Sequence, residues 1–321
     1  MSERRAYVVV LLNIALLLVS LFCLAYSGSK VIKHASNLAA HFRMPEFIIG
    51  FLILGLGTAL PDLFVTAIAS LEGNADLVVG SIIGTNIVNM CLILGIVTLA
   101  RGRLPLRDKT IIEDFGWIFF ALIIPFFLLR DGVLNFAEGA LLVLVYFMFL
   151  YNIEIEKGMF PKKRLDEKEH LSKNVLSLLV GIFGIVVFAK IVVDNASIVS
   201  LQFDIAQSYI GMTLVAFGMA LPELTTELSA ARAKRESLVW GDLIGSLVTN
   251  LSLVLGVAGI LGPLRFDFAV FQLGYAFMAI SFLMVFVFSR SGNALDKGEG
   301  MALILMYIVF LMIGSPMLSP S

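Results

Sequence analysis

Charge, histidine and cysteine are all scarce in this chain. Charged residues make up 15% of it and the formal net charge is −1, so no overall field draws it to nucleic acid, which is not an expected partner. The two cysteines, Cys23 and Cys91, both lie in apolar runs. They are too few and too far apart for a disulfide framework or a thiolate metal site. The three histidines, His34, His41 and His170, fall in or near polar connections, so there is no imidazole cluster of the kind zinc and copper recruit. No cofactor is expected. Hydrocarbon fills the space instead: 59% of residues are hydrophobic and the mean hydropathy is +0.97, values that exclude an ordinary soluble domain.

Apolar runs of about 20 residues, the length that crosses a bilayer core as helix, recur along the chain. They predict an all-α polytopic membrane protein with ten transmembrane helices, at about 7–29, 45–71, 76–100, 112–130, 133–153, 174–194, 208–231, 236–261, 266–289 and 298–318. The run from Tyr7 to Ala25 reads as a first membrane helix rather than a signal peptide, because it is too long for an h-region and lacks a clear small-residue cleavage site. One long polar connection, 154–173, divides residues 1–153 from 174–321, five helices on each side. Connections at 30–43, 101–109, 157–173, 232–235 and 290–297 hold 18 of the 23 basic residues. By the positive-inside rule they are cytoplasmic, as is the 154–173 linker, and both termini are extracytoplasmic in a cell membrane. An odd number of spans per half inserts the halves in opposite orientations, the inverted repeat common in secondary transporters.

The halves are also related in sequence. Residues 50–95 and 211–256 align without a gap, so that Gly57, Leu60, Pro61, Gly80, Gly84, Asn89 and Gly95 match Gly218, Leu221, Pro222, Gly241, Gly245, Asn250 and Gly256. Asp62 falls opposite Glu223, each directly after a proline in an apolar segment. An ionisable residue inside a membrane is costly and therefore a functional candidate. Proline removes a helix donor and clashes with the carbonyl four residues back, here at Gly57 and Gly218. Loosened backbone of that kind is tolerable in a membrane only against protein, water or a bound ion. On the next helices, Ser81, Thr85 and Asn89, and likewise Asp242, Ser246 and Asn250, stand four apart on one face. The hydroxyls serve equally well as interhelical hydrogen bonds; the matched asparagines favour a site. Together these groups make an oxygen-only cage, which suits hard cations such as calcium. Glu227, one turn after Glu223, fits either an access path or a solvated position; Glu72, Asp76 and Asp242 read as helix-end residues.

The segments GTALPD, GMALPE, GTNIVN and GSLVTN resemble the signatures of the sodium/calcium exchanger family of the cation/calcium antiporters, over both repeats and the whole ten-helix plan. The resemblance implies that helices two, three, seven and eight form an ion core over which long helices one and six slide. It makes Asp62 and Glu223 the central cation ligands and sets Asn89 and Asn250 beside them. Thr58, Thr85 and Ser246 become further oxygen candidates, with Gly55 and Ala216 at positions that offer backbone carbonyls. The chain departs from the pattern at Ala59, Ala220, Met219 and Leu247, which removes oxygens from sodium sites, and Asp62 is one carbon shorter than the usual acid.

Exchange of calcium for sodium by alternating access is the expected function, with calcium/proton exchange the nearest alternative, since a carboxylate out of water can be neutralised by a proton as well as by a metal. A passive channel, a non-transporting homologue and an intramembrane hydrolase rank lower. The expected partners are calcium, sodium or protons and the lipid bilayer, with the monomer as working unit and no enzyme activity. Two core carboxylates balance one calcium, two sodium ions or two protons, so near-electroneutral exchange is expected.

Overall fold

A computed structural model describes residues 2–41, 56–106, 109–156 and 171–317. The described residues are folded almost wholly into helices, as suits backbone in hydrocarbon, where helix is one of only two ways to satisfy every N–H and C=O. In chain order, α1 is Ser2–His41, α2 Leu56–Leu71, α4 Lys109–Leu128, α5 Phe136–Glu156, α6 Leu171–Phe203, α9 Phe268–Arg290 and α10 Lys297–Met317. Three others contain π turns. In α3, α-helix Ala75–Ile87 passes through a π turn at Val88–Ile93 into Leu94–Arg101. In α8, Glu236–Val248 passes through Thr249–Val254 into Leu255–Leu261. In α7, Gln207–Ile210, a π turn at Gly211–Val215 and Ala216–Met219 are followed, after a break at Ala220, by Leu221–Arg232.

The sequence repeat is a repeat of structure. Every segment of α3 recurs in α8 at a spacing of 161 (236 less 75), π turn on π turn, and α5 recurs in α10 with both ends in step. Four short strands join the copies: β1 (Arg103–Pro105) pairs antiparallel with β4 (Ala294–Asp296), and β2 (Val133–Leu134) with β3 (Leu264–Arg265). Each pair takes one strand from each copy, and the same 161 spacing carries β1 onto β3 and β2 onto β4. The α5 and α10 helices cross over in the same way. Gly139 on α5 lies backbone to backbone with Gly256 on α8, and Gly300 on α10 with Gly95 on α3. Small residues let membrane helices approach this closely.

Helices α3 and α8 form the centre: 83% and 78% of their most apolar windows are buried, against 22–33% for α1, α6 and α10. The outer helices turn large apolar side chains outward, Leu176, Leu179, Val180 and Phe183 on α6 among them, a surface that suits lipid. Among the described residues six helices are long and apolar enough to cross a membrane, and α2 and α5 supply two shorter apolar helices.

The first and sixth helices outrun their expected spans. At 40 and 33 residues they are about 60 and 50 Å long, against a hydrocarbon core of about 30 Å. Hydropathy marks where a helix leaves the core, not where its hydrogen bonds end, and polar residues such as Ser29–His34 and Asn195–Ser197 continue as helix. Gly184 sits over Ser27 and Gly181 over Val31, while the His34 ring nitrogen Nδ1 pairs with Asn174 Oδ1 at 2.9 Å. The two equivalent helices therefore run antiparallel. Gly28 of α1 crosses the centre: a Cβ there would lie 2.9 Å from Pro61 Cγ and 3.9 Å from Pro222 Cγ.

Candidate functional site

The centre holds polar groups that no packing role accounts for. Asp62 on α2 and Glu223 on α7 are each 1% exposed, and Asn89 and Asn250 at most 2%. Both asparagines occupy the second position of their π turns, and such turns are frequent at functional sites. A π turn widens the helix and re-aims the side chains around it, and Asn250 of α8 reaches Asp62 on the facing α2. The contact crosses between copies, with α2 packed on the π turn of α8 and α7 on that of α3.

One half of this arrangement is closed and the other open. The Asn250 amide hydrogen-bonds the Asp62 carboxylate, leaving Asp62 Oδ1 and Asn250 Oδ1 buried without partners. In the other half, neither amide atom of Asn89 has a partner, nor has Glu223 Oε2. Unsatisfied buried polar atoms cost about 1–3 kcal/mol each, more when charged, so several converging ones mark a place where a ligand completes the set. The Thr85 hydroxyl is buried and unpartnered as well. Thr58 and Ser246 are buried beside the acids on their own helices. Ser81 instead spends its hydroxyl on Val78 O at 3.0 Å within its own helix, the packing role.

The backbone candidates differ. Ala216 is buried, and its carbonyl accepts the Ala220 N–H at 3.0 Å, leaving one lone pair for a ligand. Gly55 lies outside the described residues. The expected loosening at the prolines is one-sided: α7 breaks at Ala220, with φ −79° and ψ 0°, while α2 is helical from Leu56 through Pro61. All four departures, Ala59, Ala220, Met219 and Leu247, are buried at 3% or less, so apolar groups occupy the core positions where hydroxyl or amide oxygens were looked for.

Three residues were missed or misjudged from sequence. Asn86 is fully buried, donates to Ile82 O at 2.8 Å and leaves its Oδ1 unpartnered; the fourfold spacing from Ser81 passes it by, although the GTN motif contained it. Glu227 is 1% exposed, which rules out the solvated alternative. Asp242 is not a helix-end residue but sits midway along the Glu236–Val248 segment, with Oδ2 buried and unpartnered. The charges of Asp62, Asp242 and Glu227 all act on Glu223. Four acids, not two, therefore lie in or beside the core, so a count of two carboxylates is incomplete. Among the described residues no three His, Cys, Asp or Glu side chains converge as a metal cluster; a cation here is held by carboxylates in company with neutral oxygens.

Comparison with known proteins places this geometry. The family model described as sodium/calcium exchanger protein matches twice, at residues 12–153 and 173–314. The inner membrane protein YrbG of Escherichia coli is 29% identical over 94% of this chain and 96% of its own length. The sodium/calcium exchanger MaX1 of Methanosarcina acetivorans is 27% identical over 94% and 98%. The solved structure of the sodium-calcium exchanger NCX_Mj superposes with a TM-score of 0.67 at 25% identity, covering 94% of this chain and 99% of that one. The H+/Ca2+ exchanger CAX gives 0.79 at 17% identity, covering 94% and 82%, a likeness of fold alone.

Proposed function

The chain belongs to the sodium/calcium exchanger protein family, and on that premise we propose that it is a secondary antiporter exchanging calcium for sodium by alternating access at the Asp62–Glu223 pair. The observation that carries this reading is a buried carboxylate from each copy, each with an unpartnered oxygen, in a core that also buries unpartnered oxygens of Asn89, Asn250 and Thr85. Oxygen donors of this type and number suit calcium, which takes six to eight of them. The two copies form ten membrane helices inserted as inverted five-helix repeats, a reading supported by the antiparallel α1 and α6 and by the exchanged strand pairs. Helix α1, resting through Gly28 on both prolines, and its antiparallel partner α6 are the moving parts. They slide over the core to bare the pair to one side and then the other.

Calcium/proton exchange is the second reading, favoured by Ala59, Ala220, Met219 and Leu247, which leave apolar groups where separate sodium sites would need oxygens. One experiment separates the two. Purified protein in proteoliposomes is expected to take up calcium against an imposed outward sodium gradient with no proton gradient present. Uptake that follows only a proton gradient assigns the second reading, and uptake that dissipates without either gradient would mean a channel.

Orientation has its own test. A single cysteine at Lys163, in the linker, in a chain otherwise free of cysteine, should react only with reagents admitted to the cytoplasm. Labelling from outside intact cells would overturn the extracytoplasmic termini and the span count behind them.

A further inference from the structure

The geometry points to a second cation station, separate from the central pair, in which Glu227 of α7 and Asp242 of α8 hold a partly hydrated divalent cation next to Glu223. Glu227 stands one helical turn beyond Glu223 and is 1% exposed, with Oε2 buried and unpartnered. Asp242 comes from the packed neighbouring helix with its own Oδ2 buried and unpartnered. The charge of Asp242 acts on Glu227, and both act on Glu223. Among the described residues neither acid forms a salt bridge, and Arg232, Lys234 and Arg235 of the α7–α8 connection are exposed.

Glu227 is wholly buried and the half-buried Asp242 has one oxygen out of water, an unfavourable setting for two carboxylates without positive charge. Such a pair is neutralised either by protons or by a bound cation, and the unpartnered oxygens leave room for the cation. A divalent ion balances both charges. Two carboxylates do not fill the shell of calcium, so the ion keeps part of its water.

The repeat supplies an internal control. The residues 161 positions earlier are Thr66 and Ser81. Thr66 Oγ1 donates to Asp62 O at 2.7 Å and Ser81 Oγ to Val78 O at 3.0 Å, each within its own helix. The same two places in the fold are thus filled in one copy by neutral, self-satisfied hydroxyls and in the other by acids with unpartnered oxygens. Packing of the fold does not demand the acids. They stand between Glu223 and the α7–α8 connection, in one copy only, so the two sides of the core differ in charge at these two places.

This inference rests on the reading of Asp62 and Glu223 as the central cation pair, and equilibrium binding of radioactive calcium to the purified full-length protein tests the two separately. Wild type is expected to bind in two components, a tight one and a weaker one. Glu227→Gln combined with Asp242→Asn should lose the weaker component and keep the tight one, which also shows that the variant is folded. Glu223→Gln should lose the tight component. A single component in wild type that the Glu227→Gln/Asp242→Asn variant leaves unchanged would overturn the station while the central pair stands. Loss of the weaker component in that variant, with Glu223→Gln binding like wild type, would keep the station and sink the central pair. No calcium bound by wild type would overturn both.

Discussion

Calcium flux into proteoliposomes is expected to fall roughly 30- to 4,000-fold in Asp62→Asn and in Glu223→Gln, with the amount of folded protein unchanged. Each substitution keeps the shape of the side chain and removes one of the two central charges that face the ion. Removing one partner of a buried charge pair costs about 2–5 kcal/mol, and every 1.4 kcal/mol is tenfold in affinity. The effect on the two residues is not symmetric in kind. Asp62 is held by the Asn250 amide, so its amide variant also disturbs a hydrogen bond within the protein. Glu223 has one oxygen with no partner and a backbone hydrogen bond only from its own N–H, so its variant disturbs no hydrogen bond to another residue. Rates are compared at equal amounts of monodisperse protein. Wild-type flux in both variants would remove the central pair from the mechanism.

The second large effect is on folding. Gly84→Ala would put a Cβ 2.3 Å from Met212 O and 2.5 Å from Met212 Cα, inside the backbone of the α7 π turn. Nothing flexible is there to move aside, so α3 and α7 must separate where they pack backbone to backbone. Overpacking a well-filled core costs about 1–3 kcal/mol, sometimes more, and backbone against backbone belongs at the upper end. The expected result is a lower midpoint of thermal unfolding in detergent and a large loss of monodisperse protein. Gly116→Ala on α4, where a Cβ meets nothing within 4 Å, serves as control and should unfold at the wild-type temperature or slightly above. Equal behaviour of the two variants would mean that the close approach of α3 and α7 is wrong.

Much of this was legible in the chain because duplication leaves a signal that survives divergence. The gapless alignment of residues 50–95 with 211–256 predicted paired acids and paired asparagines, and the helices repeat with the same spacing. The π turns were not legible. No residue type demands them. A count in fours from Ser81 passed over Asn86 for a simpler reason: it stands one residue after Thr85, off that face, in the regular helix before the π turn. Glu227 and Asp242 were undervalued because an acid about one and a half turns from a polar connection looks like one that reaches water. Only the packing of α7 on α8 closes that route. The strand pairs escaped altogether, being two or three residues long and joining segments far apart in sequence.

Those strand pairs also bear on how the chain is made. β1 ends at Pro105 and its partner β4 begins at Ala294, 189 residues later. At about 5–20 residues per second, the ribosome needs roughly 10–40 s to deliver that partner. Gly95 waits still longer for the close contact of Gly300, which belongs to the last helix. During that interval the first five helices sit in the bilayer with a strand edge unpaired and a glycine face uncovered. They cannot finish folding and hand over a completed half. The newborn protein is therefore most exposed to quality control late in synthesis, and a ribosome that stops before α10 leaves both copies unfinished rather than one.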